Sequence, residues 1–312
     1  MKLLVLGSSA GGGFPQWNCN CANCSAVRNG STRHRARTQS SVAVGGPADW
    51  LLVNASPDIL AQIQHSPQLQ PARGLRDSGI AGVLLVDAQI DHSTGLFMLR
   101  ERGTPLPLWC TDPVAQDLSS GNPILNVLGH YCGVARHALP LDGTLIRPAV
   151  DLQTPDSDQR HLAIRALTLD SQPPPYSPRR GKPVAGDNIG LVFENTLTGR
   201  RIFYAPGLGE ISPAVWEAMS TADVVMVDGT FWTDDEMIRM GLSTKTAQAI
   251  GHLAQSGPEG MLTWLARLPK STRKLLIHIN NTNPVLDSAS AERAALDAAG
   301  VELAFDGLEI DL

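Results

Sequence analysis

Four apolar β-type residues, Val83-Leu84-Leu85-Val86, run without a break into the polar cluster Asp87-Ala88-Gln89-Ile90-Asp91-His92-Ser93. A helical pattern over residues 94–101 begins two residues after Asp91-His92. The pattern predicts a buried strand, a short polar loop and a helix. Ligating side chains then sit at a strand's carboxyl end, where loops are aimed by a rigid sheet and stay open to solvent. A structural role competes at this point: Asp91 can cap the helix and His92 can be a hydrogen-bonded loop histidine.

The same unit recurs along the chain. Residues 3–6 read as a first strand, closed by the glycine-rich loop Gly11-Gly12-Gly13, which suits a close backbone approach to a site better than a dinucleotide. Residues 38–44 and 50–53 form a hairpin around Gly45-Gly46-Pro47, and Ser56 caps a helix with Pro57 at its first position. Strands are predicted at 105–109, 161–169, 189–194, 201–204, 224–227, 274–277 and 301–304. Helical segments are predicted at 112–118, 123–128, 259–268 and 289–298. The stiff loop from Asp170 to Pro178, with four prolines, could form a substrate wall. His130 and His137 fall in an irregular segment and receive no role. Four strands end in polar residues: Asp87 to His92, Asp170-Ser171, Asp228 and His278. These units predict one α/β (α+β) domain over residues 1–312, a sandwich of two sheets with helices outside.

Composition narrows the function. With 312 residues, 43% hydrophobic and 18% charged, the chain suits an ordinary globular protein. A net charge of -5 argues against a nucleic-acid partner. No stretch approaches the roughly 20 apolar residues of a membrane span, and the apolar run at 3–6 is too short for a signal peptide, so a cytoplasmic location is expected. Of five cysteines, Cys19, Cys21 and Cys24 are crowded into six positions. Thiolates at that spacing suit tetrahedral zinc and leave one ligand to come from elsewhere. Cys110 and Cys132 read as small buried residues.

The run Asp87-x-Gln89-x-Asp91-His92 with Gly95-Leu96 resembles the His-x-His-x-Asp-His motif of the metallo-β-lactamase superfamily, which implies an αββα sandwich of two mixed sheets. Further runs are similar to the branch of that superfamily that serves pyrroloquinoline quinone (PQQ) biosynthesis. They are the stretch from Gly11 to Cys21, Gln89 to His92, Phe203 to Gly209, Val227 to Thr230, Gly251 to Leu253 and Ile277 to Pro284, and they span nearly the whole chain.

On this resemblance, the places of the first metal's histidines hold Asp87, Gln89 and the proline-rich loop near Ser171, and the bridging aspartate is replaced within Pro206-Gly207. Asp91, His92 and His278 remain. Two histidines and one carboxylate with open positions form the ligand set of mononuclear non-haem iron oxygenases. The resemblance therefore implies Fe(II) at that site and hydroxylation of a tyrosine ring in a glutamate-linked PQQ precursor. Asp87, Gln89 and Asp228 would orient ligands or accept a phenol proton, with Asp228 alternatively a direct ligand. It also implies Zn(II) in a closed structural site of Cys19, Cys21, Cys24 and His252, with other PQQ-biosynthesis proteins as possible partners. Two further expectations stay open: a carrier of PQQ or its precursor towards the periplasm, and a residual metal-dependent hydrolase.

Overall fold

Along the first strand Leu3 and Val5 enter one apolar cluster while Leu4 and Leu6 enter another. Alternation with both faces apolar is the pattern of a sheet covered on both sides. The structure, a computed structural model, describes residues 1–46, 49–148 and 161–312; Pro47 of the expected hairpin turn lies outside them.

Among the described residues two mixed sheets face each other. The first has the order β13-β1-β2-β3-β4-β5-β6. Its strands are β1 (Lys2–Gly7), β2 (Ser41–Gly45), β3 (Trp50–Val53), β4 (Ile80–Leu84), β5 (Leu106–Cys110), β6 (Val134–Ala138) and β13 (Glu309–Asp311). The second runs β12-β11-β10-β9-β8-β7, built from β7 (Leu162–Thr168), β8 (Ile189–Asn195), β9 (Arg201–Ala205), β10 (Val224–Asp228), β11 (Arg273–Ile277) and β12 (Val301–Leu303). Each sheet begins as an antiparallel meander and continues in parallel: β3, β4, β5 and β6 in one, β9, β10, β11 and β12 in the other.

Between the sheets lie Val5, Val53, Leu84, Val86, Phe193, Tyr204, Met226 and Ile277, all buried. The outer face of the second sheet is covered by residues from helices Pro213–Ser220, Met261–Ala266 and Ala291–Ala298, including Val215, Leu265 and Leu296. On the first sheet Ile59, Val114 and Leu128 do the same from helices Ile59–His65, Asp112–Asp117 and Ile124–Leu128. The layers are helix, sheet, sheet, helix.

Several local readings change. Two strands, β6 and β13, carry no sequence signal strong enough to place them: β6 is short and mostly exposed, and β13 has a single buried residue. The helix expected to open at Pro57 starts at Ile59. Ser56 Oγ accepts from Asp58 N instead, and Asp58 carries no capping bond because its carboxylate accepts from the backbone and side-chain nitrogens of Gln39 at 2.9 and 3.0 Å. The helix expected after Thr94 begins earlier, as the single turn Ile90–Ser93 continued by a 3-10 segment over Thr94–Leu99, so Asp91 and His92 lie within the first helical turn.

Phe193 is fully buried between the sheets and tilts against Tyr204 at a centroid distance of 6.4 Å. Phe193→Ala should lower unfolding free energy by about 3–5 kcal/mol. Denaturant titration checks this, and a loss below about 1 kcal/mol would mean the intersheet layer refills the space.

Candidate metal centre

Three strands deliver the site. Beyond β4 the chain continues to Asp87, whose Oδ1 accepts from Gln89 N at 2.9 Å and closes the turn into the Ile90–Ser93 helix. That turn places His92 Nδ1 2.8 and 2.9 Å from the two Asp87 oxygens, with both side chains buried. The carboxylate fixes the proton on Nδ1 and aims Nε2 the other way.

His278 follows β11 directly and has φ 61°, a left-handed conformation that costs a non-glycine residue about 1 kcal/mol or more. Its Nε2 reaches Asp91 Oδ2 at 3.2 Å and its Nδ1 reaches Thr230 Oγ1 at 2.9 Å. The Thr230 hydroxyl donates to Asp228 Oδ1 at 2.6 Å, so its oxygen is left to accept from His278 Nδ1–H. Thus each imidazole is held through Nδ1 and offers Nε2.

Asp91, His92 and His278 bring one donor atom each within 4.8 Å of one another. The fit to a metal rests on an orphan: His92 Nε2 is buried without a hydrogen-bond partner, 3.8 Å from Asp91 Oδ2. A buried ring nitrogen without a partner is costly whether it carries a proton or a lone pair, unless something binds it. The glycine loop also contributes, since a Cβ on Gly11 would lie 3.1 Å from Asp91 Oδ2.

His252 is not beside the cysteines, which corrects the expected Cys3His site. Its Nδ1 lies 2.6 Å from Asp228 Oδ2 and its ring stacks on His278 with centroids 5.4 Å apart. Gly251, at φ 98° and with Ser171 Oγ only 2.2 Å from where a Cβ would stand, makes the turn that brings it there. Asp228, His252 and His278 also lie within metal-holding distance of one another. However, Asp228 already accepts from Leu208 N, Thr230 N, Thr230 Oγ1 and His252 Nδ1. A fully buried carboxylate with four donors orients its neighbours and has no oxygen left for an ion.

Gln89 does not touch a ligand imidazole; its Nε2 donates to Gln172 O at 3.4 Å and braces the proline-rich loop. That loop forms a wall of a cavity of about 470 Å³, lined among others by Asp91, His92, His278, Ser171, Arg180 and Lys245. Gly207 lines it too and offers no side chain where the bridging aspartate would stand.

Cys19, Cys21 and Cys24 form their own cluster, with sulfurs within 4.8 Å and no disulfide. Cys21 caps the helix Ala22–Arg28, its sulfur accepting from Cys24 N at 3.5 Å. Burial pushes the Cys21 thiol up to about 11. The side chain facing all three sulfurs is that of Asn281, with Nδ2 at 3.0, 3.7 and 3.4 Å from Cys19, Cys21 and Cys24. Residue type alone gave no role to Thr230 or Asn281. Their only sequence signal was position, Thr230 just past a strand-terminal Asp-Gly and Asn281 in the polar run after His278.

Burial opposes a charged His92, but the Asp87 and Asp91 carboxylates outweigh it and raise its pKa to about 9. His92 is then protonated at neutral pH without an ion, and an ion must displace that proton. Zinc affinity at this site should therefore rise with pH up to about 9, with release of one proton measurable by calorimetry in two buffers once the thiol cluster has been filled with zinc; uptake at the second equivalent without proton release contradicts it. Asp87→Asn and Thr230→Val should each weaken zinc binding by about 10- to 100-fold in a metal titration, and unchanged affinity in both would remove the orienting role.

The chain and its fold have clear relatives. A profile of the Beta-lactamase superfamily domain matches residues 49–279. The coenzyme PQQ synthesis protein B of Azoarcus sp. (strain BH72) is 60% identical over all of both chains. That of Cupriavidus necator is 56% identical over all of this chain and 99% of its own. The crystal structure of zinc-bound PqqB from Methylobacterium extorquens superposes with TM-score 0.88 at 36% identity and full coverage of both chains. A diphosphatase of the PhnP family shares the fold, with TM-score 0.66 at 18% identity, covering 99% of this chain and 96% of that one. With this identity sustained from end to end, the chain belongs to the coenzyme PQQ synthesis protein B family of the β-lactamase superfamily.

Proposed function

We propose that the chain acts in PQQ biosynthesis as an Fe(II)- and O2-dependent hydroxylase of the tyrosine ring in a glutamate-linked precursor. The observation that carries this reading is the cluster of Asp91, His92 and His278, two imidazoles and one carboxylate that all line the cavity, while the carboxylate of the neighbouring Asp228 is taken up by four hydrogen-bond donors. Bound there, ferrous iron would supply O2 activation, with His92, His278 and Asp91 as its protein ligands. Asp87 and Thr230 keep both imidazoles in the Nδ1–H form, and Asp228 holds Thr230. Phe231 and Ile250 supply apolar wall to the cavity, and Gln89 keeps the proline-rich loop in place. Hydrolysis is the weaker reading, because Gln89, Ser171 and Gly207 offer no ligand set for a second ion to clamp the leaving oxygen.

For the thiol cluster we propose structural zinc held by Cys19, Cys21 and Cys24. Asn281 supplies an amide oxygen in the fourth position when its amide is reversed.

The hydroxylase reading is tested by loading metal-free protein with Fe(II) anaerobically, adding the glutamate–tyrosine cross-linked diamino acid, admitting O2 and following product mass. A gain of oxygen that His92→Ala reduces at least a hundredfold is expected. Equal binding by wild type and variant, with no mass change in either, would put the carrier reading in its place. Independently, Cys24→Ser should remove one bound zinc per chain and lower Tm by several degrees. Retained zinc at wild-type stoichiometry would overturn the structural assignment.

A further inference from the structure

Asp87 and Asp91 line the cavity of a chain whose net charge is -5, so the cavity by itself disfavours an anion. Arg180 and Lys245 are the permanent cations among its lining residues. Among the described residues neither forms an ion pair. The neighbouring Arg179, by contrast, is fully engaged with Asp117 at 2.9 Å and Asp187 at 2.8 Å. Arg180 donates through Nη1 to Pro173 O, which fixes its guanidinium on the proline-rich wall and leaves its other donors unused. Lys245 comes from a different segment, between helix Glu236–Arg239 and His252; its backbone nitrogen donates to Ser243 Oγ and its ammonium has no partner. A third donor lies at the same cavity: Asn188 is 6% exposed, yet its Nδ2 is buried without a hydrogen-bond partner.

A half-buried guanidinium without an ion pair, an exposed lysine on a second segment and an orphan buried amide around one cavity are a good arrangement for an acid. We infer that Arg180, Lys245 and Asn188 form a recognition site for the carboxylate groups of the substrate. The cavity then selects a small molecule with carboxylates at both ends over its ester, which keeps the ammonium groups and lacks the carboxylates. The choice of carboxylate rests on the proposed function; phosphate oxygens would engage the same donors.

The test is calorimetric binding to the zinc-loaded full chain, with no oxygen chemistry involved. The probes are the cross-linked diamino acid, its fully methyl-esterified form and bis(p-nitrophenyl) phosphate. Arg180→Gln and Lys245→Gln should each weaken binding of the diamino acid about tenfold or more. Binding of the ester should change less than about twofold, and Arg180→Lys should recover part of the loss. Lys245 has no side-chain partner, so its variant keeps the folded cavity. Wild-type affinity for the diamino acid in both Gln variants, or equal losses for acid and ester, would overturn the inference. So would cation-dependent binding of the phosphodiester alone, or no uptake of any probe. Charge-dependent binding of the diamino acid without oxygen gain in the iron assay would sink the hydroxylase reading and leave this site standing.

Discussion

The grip of the Asp87 carboxylate on His92 Nδ1 is the contact from which the centre is built. It settles which nitrogen carries the proton, and so where the lone pair points. It also fixes the turn out of β4, because the same carboxylate accepts from Gln89 N. Were Asp87 a histidine, as at the matching place in the superfamily motif, it would be a ligand itself and His92 would need another anchor. On the proposed reading, an aspartate at this position would both remove one metal ligand and orient His92. Asp228 repeats the arrangement at one remove, through Thr230, on the side of His278.

Strand ends were legible because apolar runs stop abruptly at polar residues: Asp87, Asp228 and His278 all lie at the carboxyl ends of parallel strands. The two-sheet sandwich was legible from the same runs. Weak elements were not, since β6 and β13 lack a buried stripe and are recruited by pairing with β5 and β1. His252 shows a deeper limit. A histidine after a glycine carries no direction in its type, and only the left-handed turn at Gly251, packed on Ser171, sends it towards Asp228 and away from the thiols. Thr230 was hidden for a related reason: a hydroxyl gains its function from what it stands between.

The polar run after β11 joins features that are far apart in sequence. His278 faces Asp91, Asn280 lines the cavity and Asn281 faces the sulfurs. Asn283 donates to the carbonyls of Gly229 and Thr230, while Asn23 from the cysteine helix donates to the carbonyls of Asn281 and Asn283. Side-chain amides satisfy buried backbone here, where no sheet partner is available. The asparagines therefore set the spacing between the cysteine cluster and the cavity.

His278 and Asp91 meet across 187 positions of chain, one from each half of the sandwich. An ion gripping both would act as a reversible cross-link closing a very long loop, and it would favour only the state in which both sheets are already assembled. Metal supply and folding are then linked by mass action. Scarcity of the ion would then lower the stability of the assembled sandwich, whose apolar core holds the halves together without it.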